Sequence, residues 1–402
     1  MAERVPALLR SGAFRRLFAA RTASQWGDTF NTVAIVILVY RLTGSGISVA
    51  VTVIFEIVPV LLLGFVAGAV VDRMPRVAVM IVADLARAAI AVLLAIFGQH
   101  LWVIYTVTFA MSSCTVFFNP AASSVLPAVV GDDNLVAANS MIWSAAVVSQ
   151  IALAPLAGVL VATAGAGPAF GINSLSFLVS ALLVAGIRVP RPATTSRQRR
   201  VADIADGLAY IKGSRLLSTL GLAQGLAALS AGATSALLVV LAEGHLHAGA
   251  SRFGALLAAI GVGAATGPFI LRRFTRNVRH PVFLFGPYLL RGVVDLSLAT
   301  FASFAGALAA LGAYGIGTSI GNVTFNTTLQ TVVPDDRRGR VFAFYDIVWQ
   351  AGRLASIGVG GILADAAGIT AVYYLGGGLL ILAAVLGFTR LRGASTHSPL
   401  VP

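Results

Sequence analysis

Twelve apolar stretches, most of them about as long as one bilayer crossing requires, recur along this chain. A transmembrane helix takes about 20 consecutive apolar residues. Such stretches fall at 19–40, 47–71, 77–97, 101–119, 136–162 and 168–187, and again at 216–241, 253–271, 281–303, 305–328, 341–363 and 371–389. Little is left over for a water-facing surface. Charged residues make up 11% of the sequence and hydrophobic ones 58%, against about 25% charged in a soluble domain. A soluble or disordered chain is excluded on that ground. The pattern predicts an all-α membrane protein of twelve transmembrane helices.

The formal charge of +13 does not point to nucleic acid. The basic residues form short clusters between apolar stretches, not the continuous face a nucleic-acid footprint needs. With the N-terminus in the cytoplasm, 22 of the 28 Lys and Arg fall on the cytoplasmic side and only Arg41 and Arg252 on the other. The positive-inside rule then places both termini inside, in the cell's inner membrane. The basic N-terminus lacks a short apolar region with a cleavage site, so the first span is expected to stay in the mature protein. Cys114 is the single cysteine, which excludes an internal disulfide.

The sequence divides in two. Between the sixth and seventh spans lies a polar linker with seven basic residues, Pro190 and Pro192. This gives an N-terminal six-helix bundle (1–187), a cytoplasmic linker (188–214) and a C-terminal six-helix bundle (215–402). Val201, Ile204, Leu208 and Ile211 recur at helical spacing, which predicts a short amphipathic helix on the membrane surface. The halves also repeat. AGVLVATAG (157–165) returns as GGILADAAG (360–368), and VVGDDN (129–134) as VVPDDR (332–337), both at an offset of 203. Gly64 and Gly68 return as Gly263 and Gly267, and Arg87 as Arg291. Each copy begins inside and has an even number of spans, so the copies are parallel repeats about an axis along the membrane normal.

Several segments carry a family likeness. GAVVDRMPR (68–76) resembles the G-x-x-x-D-R-x-G-R signature of the major facilitator superfamily, with Pro75 in place of the second glycine. The second-half counterpart GPFILRRF (267–274) has Leu271 where an acid is expected. SQWGD (24–28), ADLARA (83–88), NPAASSVLP (119–127) and LVAANS (135–140) resemble the drug-exporting branch that includes macrolide-efflux proteins and the enterobactin exporter. Ala154, Pro155, Leu156, Ala157 and Gly158 make a degenerate form of that branch's fifth-span glycine–proline motif. The resemblance implies two parallel-repeat bundles, a cytoplasmic gate formed by Gly68, Asp72, Arg73 and Arg76, and export of drug-like compounds.

Ionisable groups within spans are costly and ask for a partner or a wet cavity. Asp28 lies about nine residues into the first span, roughly 14 Å deep at 1.5 Å per residue, and Glu56 sits similarly deep in the second. Neither has a base three or four positions away along its helix. Such carboxylates suit a group that takes up and releases protons. Asp28 is the first proton-coupling candidate, Glu56 the second and Asp346 the third. Asp84 and Arg87 are three apart, Arg291 and Asp295 four apart, spacings that allow structural charge pairs. Arg353 lies two turns from Asp346 on one face, as a countercharge or an anion contact. A mixture of polar and aromatic groups suits a wide substrate cavity: Gln25, Trp26, Asn31, Asn139, Trp143, Gln150, Asn322, Asn326, Trp349 and Arg353. Gly64, Pro155, Gly158 and Gly361 read as helix-packing positions, because small residues let backbones approach closely.

No catalytic constellation is present. The single lysine, Lys212, follows Ala-Tyr-Ile, so there is no phosphate-binding Walker sequence and no ATP drive from this chain. HExxH is absent, and His245 with His247 is too sparse for a metal site. The expected protein is a monomeric secondary transporter, not an enzyme. Its energy comes from the proton gradient without cofactor or metal, and its partners are a small-molecule substrate, protons and lipid. Efflux of bulky hydrophobic or cationic compounds leads; uptake or export of one small metabolite or siderophore is the alternative.

Overall fold

The computed structural model describes residues 8–131, 134–189, 210–274 and 280–391. Twelve long helices run through them: α1 (Gly12–Thr43), α2 (Gly46–Arg73), α3 (Arg76–Phe97), α4 (Leu101–Val130), α5 (Leu135–Ala164) and α6 (Gly167–Ala185), then α7 (Arg215–Ala236), α8 (Ala250–Phe274), α9 (Pro281–Thr300), α10 (Phe304–Val332), α11 (Asp335–Ala367) and α12 (Ile369–Arg390). Each matches one expected span, and the fold is that of an all-α membrane protein. Eleven are long and apolar enough throughout to cross a bilayer. The exception is α1, whose apolar run is interrupted by Gln25, Asp28 and Asn31. The helix least like a membrane span is the one that carries the first site candidate.

Local chemistry sets the helix ends. Ser11, Ser214 and Ser303 cap α1, α7 and α10, each hydroxyl accepting a first-turn N–H. Gly44 ends α1 at φ 62°, where a side chain would be strained, and its N–H reaches the Tyr40 carbonyl at 2.7 Å. Prolines 59, 120, 127, 155, 268 and 287 lie inside helices. Membrane helices tolerate them because neighbouring helices and Ser/Thr hydroxyls satisfy the freed backbone groups.

The described residues form two compact units. Those within Met1–Gly44, Val51–Arg197 and Gly249–Ala258 make the first, and those within Ser45–Ala50, Gln198–Ala248 and Ala259–Pro402 the second. In the first unit α1 and α3 both pack along α6; in the second α7 and α9 both pack along α12. The duplication extends into the cores. Leu8, Phe14, Leu17, Ala20, Leu126 and Ala138 are buried in one. Ile211, Leu217, Leu220, Ala223, Leu329 and Val341, each 203 positions later, are buried in the other. Ile211 is the one member of the expected linker helix within the described residues, and it packs into the second core instead of lying on a surface. Val201, Ile204 and Leu208 lie outside the described residues.

Candidate transport site

The polar interior of the first unit is built where α1, α3, α4 and α6 meet. On α1, Ser24, Gly27, Asp28 and Asn31 recur at i, i+3, i+4 and i+7. Gly27 lets α6 close in: a Cβ there would collide with the Ser176 hydroxyl and lie 2.6 Å from Asn173 Oδ1. Asp84 and Arg87 on α3 are buried, 0% and 2% exposed. Arg87 Nη2 donates to Asp84 Oδ1, and Ser180 Oγ of α6 donates to Asp84 Oδ2 at 2.6 Å. The guanidinium lies 4.5 Å from the Phe118 ring centroid and 4.2 Å from that of Phe177, a setting in which cation–π attraction is strengthened by exclusion of water. Arg87 Nη1 also reaches Thr115 Oγ1 at 3.5 Å. Three elements thus converge on one buried ion pair.

Asp28 stands beside this pair, half-buried, within electrostatic reach of Arg87, Glu56 and Asp84. Three carboxylates therefore share a neighbourhood with one guanidinium, and that guanidinium is already bonded to Asp84. Glu56 is exposed, and its backbone carbonyl accepts from Ser112 Oγ of α4. Among the described residues, fully buried Asn173 has no hydrogen-bond partner for either amide atom, and Asn31 Oδ1 and Ser24 Oγ are also unpartnered. Trp26 is 50% exposed while its indole N–H donates to Ser149 Oγ at 2.8 Å. That bond brings the Gln25–Trp26 turn of α1 to α5 beside Gln150. The ring's position is fixed and its surface stays open. Trp143, Asn139 and Gln150 are exposed on α5; Asn139 Nδ2 donates to its own helix, at the Leu135 carbonyl.

The second unit differs. Arg291 and Asp295 are buried, 7% and 1% exposed, and stay within electrostatic reach of one another, but each makes its hydrogen bond to another helix. Arg291 Nη2 donates to the Tyr314 hydroxyl at 2.9 Å, with the guanidinium 4.8 Å from that ring's centroid. Asp295 accepts from Ser230 Oγ at 3.4 Å. Tyr314 of α10 offers both an acceptor and a π face, so the arginine turns outward from its own helix. Asn322 and Asn326 are exposed on α10, and Asn326 Nδ2 donates to the Asn322 carbonyl at 2.8 Å. On α11, Asp346 is exposed while Trp349 and Arg353 are half-buried. Gly232 of α7 admits the Arg353 backbone: a Cβ there would lie 2.5 Å from the Arg353 carbonyl oxygen.

Among the gate residues, Arg76 Nη1 donates to the Ser124 carbonyl at 3.0 Å, so this arginine ties α3 to α4. Arg73 is exposed. The side chain of Asp72 lies outside the described residues. The packing glycines divide. A Cβ on Gly158 would strike the Ala250 carbonyl, and one on Gly361 would lie 2.7 Å from Ala50 Cβ. Pro155 packs its Cα 2.8 Å from the Cβ position of Gly254. Gly64 and Gly68, by contrast, have nothing within 4 Å of an added Cβ among the described residues. Close approach is therefore not their role here, whereas their repeats Gly263 and Gly267 do face α10, at Gly312 and Ser319. Sequence reasoning missed Ser180, Phe118, Phe177, Tyr314 and Ser149, because each comes from a different helix than the residue it serves.

Comparison with known proteins places this geometry. Residues 5–398 match the family model described as transmembrane secretion effector. The MFS-type transporter YfiS of Bacillus subtilis is 26% identical over 96% of this chain and 94% of its own length. The multidrug efflux pump Tap of Mycolicibacterium fortuitum is 26% identical over 94% of the chain and 95% of Tap. Macrolide efflux protein A of Streptococcus pyogenes is 26% identical over 44% of the chain and 45% of that protein. Among solved structures the nucleoside transporter NupG superposes with a TM-score of 0.73 at 14% identity, covering 94% of this chain and 99% of NupG. The chain belongs to the transmembrane secretion effector family, within the major facilitator transporters.

Proposed function

We propose that this protein is a proton-coupled secondary transporter that exports bulky hydrophobic or cationic compounds by alternating access. The observation that carries the reading is the cluster around Asp28: an acid in α1, whose apolar run Gln25 and Asn31 also interrupt, near two further carboxylates and a guanidinium committed to one of them. Such a place can hold either protons or a cation. Protonating Asp28 removes its attraction for a cationic substrate, so the two cargoes compete at one position and exchange becomes obligatory. The pinned but open Trp26 indole, on another face of α1, offers an apolar, aromatic surface of the kind that stabilises a cation. The efflux activities printed in the names of Tap and macrolide efflux protein A support the outward direction.

In this reading Gly68, Asp72, Arg73 and Arg76 form the cytoplasmic gate. Arg353, Trp349, Asn322 and Asn326 are the second unit's candidates for substrate contact. The protein acts as a monomer in the inner membrane, with no cofactor beyond the proton gradient. The test is accumulation of a fluorescent cationic dye in cells with and without the protein, before and after a protonophore. Lower accumulation that the protonophore abolishes is the expected result. Equal accumulation under all conditions would discard drug efflux and leave export or uptake of one metabolite or siderophore as the reading to pursue.

A further inference from the structure

A buried amide is expected to find partners for both of its ends, because leaving them unmade is costly. On the buried face of α6 the other polar side chains comply. Ser174 Oγ donates to the Ala88 carbonyl of α3 at 2.8 Å, Ser176 Oγ to the Asn173 carbonyl at 2.7 Å and Ser180 Oγ to Asp84 at 2.6 Å. Asn173 is 0% exposed and has more bonds to make than any of these serines. Among the described residues, neither its Oδ1 nor its Nδ2 has a partner. Its Oδ1 faces α1, 2.6 Å from where a Cβ on Gly27 would stand, and Asp28 is the next residue of that helix.

Asn31 lies one turn beyond Gly27 on the same side of α1, and its Oδ1 is unpartnered as well. The repeat shows how these positions meet. At the shared offset of 203, Gly27, Asn31 and Asn173 correspond to Ser230, Thr234 and Gly376. A Cβ on Gly376 would lie 2.8 Å from Thr234 Cγ2 and 3.0 Å from Ser230 Oγ, so the three positions share one contact. The chemistry of the second unit is different. Its counterpart of Asp28 is Ala231, and Thr234 Oγ1 is spent on the Ser230 carbonyl at 3.2 Å. Two orphaned amide oxygens near a carboxylate are a feature of the first unit.

Burial limits the occupant of such a place to about the size of a water molecule. Charge favours a cation. Asp28 lies within electrostatic reach of Glu56, Asp84 and Arg87, and that one guanidinium is bonded to Asp84. Carboxylate and amide oxygens suit a hard ion. Calcium and magnesium take about six or more oxygens, more than one carboxylate and two amides supply. The described residues also hold no group of three His, Cys, Asp or Glu fit for a metal. A monovalent ion fits, and the close approach of α1 to α6 at Gly27 favours a small one. We propose that Asp28, Asn31 and Asn173 form a sodium site at the α1–α6 contact, the carboxylate supplying the charge and the two amides neutral oxygen ligands. The inference rests on the reading of Asp28 as the residue that holds a cation, and it adds an inorganic ion to the cargoes that exclude one another there.

The test follows melting of the purified full-length protein in detergent as choline chloride is replaced by sodium chloride at constant ionic strength. An ion that binds the folded form raises the melting temperature. A saturating rise of about 3 °C or more is expected with sodium, and under about half of it with potassium. Asn173→Ala and Asn31→Ala each abolish the rise. Thr163→Ala, which removes an exposed hydroxyl bonded to its own helix, keeps it. No rise with sodium, an equal rise with potassium, or an undiminished rise in the asparagine variants would overturn the site. If Asn173→Ala fails to elute as folded protein, Asn31→Ala carries the same comparison. Neither substrate nor gradient is present, so the result is separate from the efflux assay. Sodium binding without dye export keeps the site and discards efflux, and dye export without a sodium response does the reverse.

Discussion

Asp28 and Asp84 lie near one another in the same unit, yet their surroundings assign them opposite work. Asp84 is sealed among Arg87, Ser180 and two phenylalanine rings. Asp28 is half-buried and has Arg87, Glu56 and Asp84 as its charged neighbours. Breaking a buried ion pair by removing one partner costs about 3–5 kcal/mol. Asp84→Asn is therefore expected to lower thermal stability and folded yield, measured by melting in detergent, whatever its effect on transport. Asp28→Asn is expected to insert and melt like the parent while losing pH-gradient-driven efflux in everted vesicles. Full gradient-driven transport by Asp28→Asn would move the proton to Glu56. The Asp84–Arg87 contact was legible in the sequence, because three residues along a helix bring side chains to one face. The same rule could not foresee the Arg291–Tyr314 bond, since Tyr314 arrives from another helix and no spacing announces it.

At the scale of helices, apolar stretches were enough to locate all twelve, and α1 stands out as the one that polar residues interrupt, which is where the first site candidate lies. What spacing cannot tell is which face of a helix meets a neighbour. Gly64–Gly68 and Gly263–Gly267 have the same small-xxx-small form, but only the second pair abuts another helix. The structure separates them by consequence. Gly64→Ala adds a methyl that meets none of the described residues and is expected to leave the melting temperature unchanged. Gly254→Val drives a branched side chain into the Ala154 carbonyl and Pro155 Cα, which are backbone atoms that cannot rotate away. Overpacking of this kind costs typically about 1–3 kcal/mol. A clear loss of folded, monodisperse protein is expected, read by size-exclusion chromatography after mild heating. Equal survival of both variants would mean that the α5–α8 seam is not a fixed contact.

For the whole molecule, the duplicated cores and the charge distribution answer different questions. Core residues repeating at one offset fix how each unit packs, but a hydrophobic core has no preference for one side of a membrane over the other. Orientation comes from the arginines. Loops expected in the cytoplasm hold nearly all of them, and the opposite loops hold Arg41 and Arg252 alone, a bias that sets topology during insertion. Several of these arginines also have structural work at helix ends: Arg16 donates to the Gly186 carbonyl after α6, and Arg338 reaches the Gln330 carbonyl near the end of α10 at 2.7 Å. Cations favour the carbonyl end of a helix dipole, so the same side chains that orient the protein also close its helices there. The helix-end contacts hold for either orientation, so the charge bias alone carries the expectation that both termini lie in the cytoplasm. A fluorescent protein fused after residue 402 should therefore fold and fluoresce. Alkaline phosphatase, which is active only outside the cytoplasm, should be active when fused after His100, between α3 and α4, and silent when fused after Gly131, between α4 and α5. Activity in the reverse order would invert the topology.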